Sequence, residues 1–599
     1  MTRPLNPPGE TPGVGVPPRL AAHMTVAEQH DWLRGFLAAR PVSRRSALRG
    51  AAGIGLAGGL ASVLAACGSP TSGGGTGGAT PLGVTGRHLS FGTDPTSQMA
   101  VGAELTAKPA GKVLLDLGID TQYGTTIEAE VRELVSQVPQ ADGSIRAADQ
   151  FFVHGLAEQL RPGQSYHYRF RLPGGGTSQD AVFSTAPTAR VPFTFTAFGD
   201  QGVNAAPANS SIITKDFTDD YYKQGDDRRT PAPASSLVEL IARRHPAFHL
   251  LAGDICYADP SGDGEPVKNA APAKEEKGFD NFDPHTWTAY FASIEASAAT
   301  TPWMFATGNH DMEALYDDNK APGGATHGYG GHAARLDLPR NGPSKCPSVY
   351  TFKYSNVGVI SVDANDLSTE IATNAGYSGG AQASWVRQTL AALRADPAVD
   401  FIVAFFHHCA YATSASHASD GGVRSTLTPM FDEFGVDLVV QGHNHQYERT
   451  NPIKGGRTGV QAPDGATVHP ETDGTTYICV GSGGRPRYTW QPGETDRYRG
   501  NTGPDSGTQV TSFLNVADGG KTPETVDWSQ ARYLDYAVLS VDVTPGAPGA
   551  DSTMTVRAIA DTGQEIDAVT LVRKASGTAP KPTASGSWTR TPTGLSIPA

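Results

Sequence analysis

The sequence predicts an α/β fold in which a β-sandwich is flanked by helices, preceded by an all-β sandwich. Three observations carry that reading. Residues 85–188 alternate polar and apolar side chains in short runs broken by Pro and Gly, with little helical period. From residue 191 the strands become continuous apolar runs that end in polar loops. Helical patterns lie between those runs, and strands alternating with helices put functional loops at the strand ends.

The first sandwich is read from strand-like runs such as 112–117, 150–154 and 165–172, the last preceded by the turn Leu160-Arg161-Pro162-Gly163. Short strands with turn signals over roughly 100 residues suit such a sandwich. It holds no cluster of reactive side chains, so a packing or spacer role is expected for 85–188. In the second region, 190–575, Phe193–Phe198 leads into Gly199-Asp200, and 247–252 into Gly253-Asp254. The run 303–307 leads into Gly308-Asn309-His310, and Phe401–Phe406 into His407-His408. The run 436–441 leads into Gly442-His443-Asn444-His445. Helices are expected at 235–244 and 382–394, and strands at 476–480, 536–543 and 553–560 complete the central sandwich.

The chain has 599 residues and a formal charge of -13. Residues 1–66 hold seven Lys/Arg against three Asp/Glu, so the remainder is more acidic still. Such a surface repels polyanions, which excludes a dedicated nucleic-acid binder. A phosphate-bearing ligand would need concentrated local positive charge, which a metal ion supplies. No run of 18 or more strongly apolar residues occurs, which excludes a polytopic helical membrane protein.

The ends read as an address and a tail. Ser43-Arg44-Arg45-Ser46-Ala47-Leu48 reads as a twin-arginine export motif, followed by a Gly/Ala-rich run and by Leu64-Ala65-Ala66-Cys67-Gly68, which resembles a lipobox. Residues 1–66 are therefore expected to be a signal, and lipidated Cys67 the one membrane anchor. The mature protein would sit on the outer face of the cell membrane or be secreted. Residues 67–84 are expected to be a flexible tether and 576–599 a Pro/Ser/Thr-rich disordered tail, and Met24 is a second candidate start.

One Asp or His after a strand is ordinary; five apolar strands each ending in a metal-capable side chain are not. The blocks Gly199-Asp200-Gln201-Gly202, Gly253-Asp254-Ile255-Cys256-Tyr257, Gly308-Asn309-His310-Asp311, His407 and Gly442-His443-Asn444-His445 resemble the signature blocks of purple acid phosphatases. These belong to the binuclear, calcineurin-like metallophosphoesterases. Gln446-Tyr447-Glu448-Arg449, His88 to Pro95 and the Leu-Arg-Pro-Gly turn look similar too, and the resemblance spans about residues 85 to 575. It implies a metallophosphoesterase β-sandwich flanked by helices behind a fibronectin III-like sandwich.

The resemblance also implies two metal ions. One would take Asp200, Asp254, Tyr257 and His445; the other Asp254, Asn309, His407 and His443, with Asp254 shared. Two carboxylates and a phenolate suit Fe(III), and Asn with two imidazoles suits a divalent ion such as Zn, Mn or Fe. Such a pair can clamp a phosphoryl oxygen and activate water as the nucleophile. His310 is expected to steady the phosphate or protonate the leaving oxygen, with Asp311 orienting its ring, and His417 to face substrate. His408 is read as packing, and Glu448 with Arg449 as an ion pair supporting the histidine loop.

The family commonly has Pro where this chain has Cys409. With Cys256 in a neighbouring block, a Cys256–Cys409 disulfide is suggested. The loops 204–235, 257–279 and 312–348, which carry Lys215, Arg228, Arg229, His327 and His332, are expected to form the rim. The leading functional reading is an exported phosphomonoesterase of the acid phosphatase type, with a small phosphate ester as substrate. The alternatives are a phosphodiesterase or nucleotidase on the same core, and a surface-binding lipoprotein without catalysis.

Overall fold

A computed structural model describes residues 81–139, 145–203, 233–258, 262, 274–275, 278–279, 284–312, 329–485, 487–499 and 509–575. The expected signal, Cys67, nearly all of the tether, the tail and most of the rim loops lie outside these residues, with Lys215, Arg228, Arg229 and His327 among them.

The N-terminal strands form an antiparallel sheet in the order Val84–Phe91, Met99–Leu105, Ile145–Ala157, Thr125–Pro139, Val113–Gly118, Ser165–Arg171, Ala181–Ser184. The long strand Thr125–Pro139 serves both halves: 125–129 pair with Val113–Gly118, and 130–139 with Ile145–Ala157. Ser165–Arg171 shows why the alternation was readable. Tyr166, Tyr168 and Phe170 point inward while the residues between them are partly or fully exposed.

This sheet does more than fill space. The His88 ring stacks on Phe291 at 4.3 Å, and its nitrogens lie 2.9 Å from the Gly86 carbonyl and 3.2 Å from that of Arg335. Gln150 Nε2 donates to the Pro284 carbonyl, and Tyr168 Oη to that of Ala299. His154 Nε2 lies 2.8 Å from the Ala334 carbonyl. Together they hold both ends of helix His285–Ala298 and the short helix Gly330–Arg335.

Two further seven-stranded sheets make the central layers. One runs Trp303–Phe305, His249–Leu251, Phe193–Phe198, Ala537–Thr544, Asp551–Ala560, Glu565–Lys574, Ala466–Val468. The other runs Tyr350–Tyr354, Val357–Ser361, Phe401–Phe406, Leu438–Gln441, Thr476–Val480, Tyr447–Thr450, Ser529–Tyr533. The strands that precede the motifs are parallel within each sheet, so their C-terminal loops gather on one side. The sheets touch there, where Gly199 N donates to the Val480 carbonyl at 3.0 Å.

Helix Ala381–Ala395 buries Gln382, Trp385, Val386, Thr389, Leu390 and Leu393, a stripe with the 3.6-residue period. Its apolar members join Ile360, Ile402, Ala404 and Val439 in one core. Helix Gly421–Phe434 is not among the helices named from sequence and holds Pro429 inside it. The Asp420 carboxylate caps its start by accepting from Gly422 N and Val423 N, and Gly435 ends it at φ 63.

Glu448 and Arg449 do not pair with each other. Neighbours on a strand point to opposite faces, so Arg449 reaches Asp567 of the other sheet with contacts of 2.6 and 2.8 Å. Glu448 turns the other way and accepts from Thr413 N and Oγ1 at 2.8 and 2.7 Å. Asp567→Ala therefore leaves a buried guanidinium unpaired. It is expected to destabilise the protein by about 3–5 kcal/mol, read as a lower unfolding midpoint in urea.

Candidate metal centre

Asp200, Asp254, Tyr257, Asn309, His407, His443 and His445 converge from five loops, and each is almost wholly buried. Asp200 Oδ1 accepts from Tyr257 Oη at 3.1 Å and lies 3.4 Å from His445 Nε2, while Tyr257 Oη lies 3.0 Å from that nitrogen. Asp254 Oδ2 lies 3.1 Å from His407 Nε2, which is 4.0 Å from Asp200 Oδ1. Asp254, His407 and His443 each offer a donor atom within 4.8 Å of the others.

The backbone at this centre is under strain. Asp200, Asp254, Tyr257 and His443 have φ of 57, 52, 60 and 66°. They are four of the nine non-glycine residues with positive φ among those described. Such conformations cost about 1–3 kcal/mol each and persist only where the surroundings enforce them. Here the loops enforce one another: Asp200 N donates to the Gly253 carbonyl, Gly202 N to that of Ile255, and His443 N to Asp200 Oδ2 at 2.8 Å.

Of the glycines before the ligand-type residues only Gly253 has a positive φ, 81; at Gly199, Gly308 and Gly442 the need is close approach. A Cβ on Gly308 would fall 2.1 Å from Asp254 Oδ1, and one on Gly442 2.6 Å from Asp200 Oδ2. After Gly199 and Gly442 the left-handed turn falls instead on Asp200 and His443.

Several features fit a cation. Asn309 Nδ2 donates to the Gly262 carbonyl at 2.9 Å, and its buried Oδ1 has no hydrogen-bond partner. His407 Nδ1 lies 2.8 Å from the Ala252 carbonyl, which fixes the tautomer and leaves Nε2 facing Asp254. Burial alone would hold His407 neutral, yet the charges of Asp254 and Asp200 pull it up to about 10. Burial likewise opposes ionisation of Asp254, but His407 and His310 keep its carboxyl well below the usual range.

His310 donates its backbone N–H to Asp254 Oδ1 at 3.0 Å, and its ring lies against Tyr257 with Nε2 4.0 Å from Asp254 Oδ2. Asp311 accepts from Ile255 N at 2.9 Å and Gly308 N at 2.7 Å, so its carboxylate ties two motif loops together at the backbone. His417 lies over the His443 ring with centroids 4.2 Å apart. Its Nδ1 is 2.7 Å from Glu370 Oε1, and its Nε2 3.0 Å from Tyr488 Oη. His408 is buried against His443, and His332 against Trp287 and Tyr329.

The Cys256–Cys409 disulfide is not formed; Cys256, Cys346, Cys409 and Cys479 are buried and none of them is in a disulfide. Cys409 belongs to the second sheet's loops and packs with Cys479 and Ala412. Both sulfurs face the Gly442 carbonyl, at 3.0 and 3.5 Å, so Cys409 braces the Gly442–His445 turn from behind. Glu370 and Tyr488 were missed by sequence reasoning, since each is a single residue in a loop with no spacing to a motif.

Residues 231–447 match the family model of calcineurin-like phosphoesterases. An uncharacterized protein of Mycobacterium tuberculosis is 29% identical over 532 residues, covering 84% of this chain and 89% of its own length. Purple acid phosphatase 18 of Arabidopsis thaliana is 23% identical over 337 residues, covering 55% of this chain and 57% of its own. The solved structure of a purple acid phosphatase from yellow lupin (Lupinus luteus) seeds shares the fold. Its TM-score is 0.56 at 17% identity, over 84% of this chain and 78% of that one.

Gly308→Ala drives a methyl onto Asp254 Oδ1. The variant is expected to emerge from gel filtration with less bound metal than the wild type, as measured by elemental analysis.

Proposed function

We propose that this chain, a purple acid phosphatase-like metallophosphoesterase, hydrolyses phosphomonoesters as an exported enzyme held by lipidated Cys67 on the outer face of the cell membrane, or secreted. The observation that carries the reading is the convergence of two carboxylates, a phenol, an amide and three imidazoles at the C-terminal ends of five strands, on strained backbone. Asp200, Asp254, Tyr257 and His445 would hold one ion, and Asp254, Asn309, His407 and His443 the other. The oxygen-rich first set favours Fe(III), and the second a divalent Zn, Mn or Fe. Ions so held supply Lewis acidity toward a phosphoryl oxygen and activate water for attack.

The protein's own groups do the rest. His310, at the edge of the centre and 13% exposed at its side chain, is placed to hold a proton at a ring nitrogen and pass it to the leaving oxygen. Asp311 fixes the loop that carries Asn309 and His310, a positioning task rather than the ring-orienting one expected. His417, its ring held between Glu370 and Tyr488, would face substrate. The acidic chain suits a small ester concentrated by the local positive charge of the centre, with no nucleic-acid partner.

The test is the ratio of kcat/KM for an aryl phosphomonoester against its diester, using mature protein purified without chelators. A strong monoester preference is expected; a strong diester preference reassigns the enzyme as a phosphodiesterase. If Tyr257 ligates Fe(III), the oxidised protein absorbs visible light by phenolate-to-iron charge transfer, and Tyr257→Phe abolishes the band. A colourless active protein holding only divalent metal overturns the Fe(III) assignment.

A further inference from the structure

We propose that Glu370 is a positioning residue of the centre, one carboxylate that orients both His443 and His417. The inference rests on the binuclear reading above and adds a residue that lies in none of its motifs. Glu370 sits in the loop between the short turns Ala364–Asp366 and Ala372–Asn374, with its side chain 14% exposed. Its Oε1 lies 2.7 Å from His417 Nδ1 and its Oε2 3.1 Å from His443 Nε2.

The loop is placed before either histidine is engaged. The Asp420 carboxylate accepts from Ser368 Oγ at 2.7 Å, Thr369 N at 3.0 Å and Glu370 N at 3.0 Å. The same carboxylate caps helix Gly421–Phe434, so the helix start and the Glu370 loop are one rigid unit. Beyond Glu370 the contacts continue as an arch. His417 Nε2 meets Tyr488 Oη at 3.0 Å, and the Tyr488 ring stacks on His445 at 4.0 Å and 9°. The arch thus joins a histidine of each expected ion site.

With Nε2 of His443 committed to Glu370, Nδ1 is the nitrogen left for an ion shared with Asp254 and His407. A carboxylate on the far nitrogen of a ligating histidine fixes its tautomer and raises its basicity, and losing it typically costs 10–100-fold in metal affinity. On His417 the second oxygen fixes the proton at Nδ1, so that Nε2 stays toward Tyr488. Glu370, His417 and His443 also satisfy the spacing of a cation site in their own right. We favour the positioning role because each carboxylate oxygen is already taken by a different histidine, and His417 spends its other nitrogen on Tyr488.

The experiment measures Zn(II) binding by equilibrium dialysis with elemental analysis on the metal-stripped wild type, Glu370→Gln, Glu370→Asp and His417→Asn. Circular dichroism and the unfolding midpoint confirm that each variant folds. Wild type is expected to hold two ions. Glu370→Gln, which cannot accept at both oxygens, should bind one of them about 10–100-fold more weakly, and Glu370→Asp should recover part of the loss. His417→Asn should lower kcat for an aryl phosphomonoester and weaken Zn(II) binding less than Glu370→Gln does, since Glu370 still holds His443. A folded Glu370→Gln that binds both ions like wild type overturns the proposal alone. So does a third ion in wild type that Glu370→Gln loses, since that makes the trio a cation site. Fewer than two ions in wild type overturns the binuclear reading and this proposal with it.

Discussion

Everything in the centre depends on two buried carboxylates placed where the two central sheets meet. Asp200 is carried by the first sheet, yet its Oδ2 accepts the backbone N–H of His443 from the second, and its Oδ1 accepts Tyr257 Oη. Asp254 does the same work one strand over, with His310 N on one oxygen and His407 on the other. Charges buried this deeply are tolerated only when paired and hydrogen-bonded. The left-handed backbone at Asp200, Asp254, Tyr257 and His443 is the strain that this arrangement imposes.

The support for that strain is spread over the fold, and much of it is remote from the chemistry. Arg449 and Asp567 lock the two sheets together a few residues past His445. Cys409 and Cys479 brace the Gly442 carbonyl, and Asp420 fixes both a helix start and the Glu370 loop. The N-terminal sheet takes part through His88, Gln150 and His154, which hold the ends of His285–Ala298 and Gly330–Arg335. Sequence reading gave that sheet a packing or spacer role, and its packing is done by single buried polar residues on otherwise ordinary strands.

The legible parts share one property: they are written in consecutive residues. Phe193–Phe198 and Phe401–Phe406 announce buried strands by unbroken apolar runs, and the residues after them announce chemistry by type. The illegible parts depend on which residues meet across the fold. Glu370 is far in sequence from both histidines it touches, Arg449 finds Asp567 rather than its neighbour, and Cys409 finds Cys479 rather than Cys256. Helix Gly421–Phe434 is not among the helices named from sequence, and a proline that breaks most helix interiors is accommodated in it.

The charge balance of the centre ties metal loading to folding. Its donors come from loops on two different sheets, so no partial structure presents the full set, and the site exists only once both sheets have closed. His407 Nε2, fully buried, lies 3.1 Å from Asp254 Oδ2 and 4.0 Å from Asp200 Oδ1, so one imidazole faces both carboxylates of the centre. A donor set that comes together only in the folded chain would suit the proposed export by a route that moves folded chains.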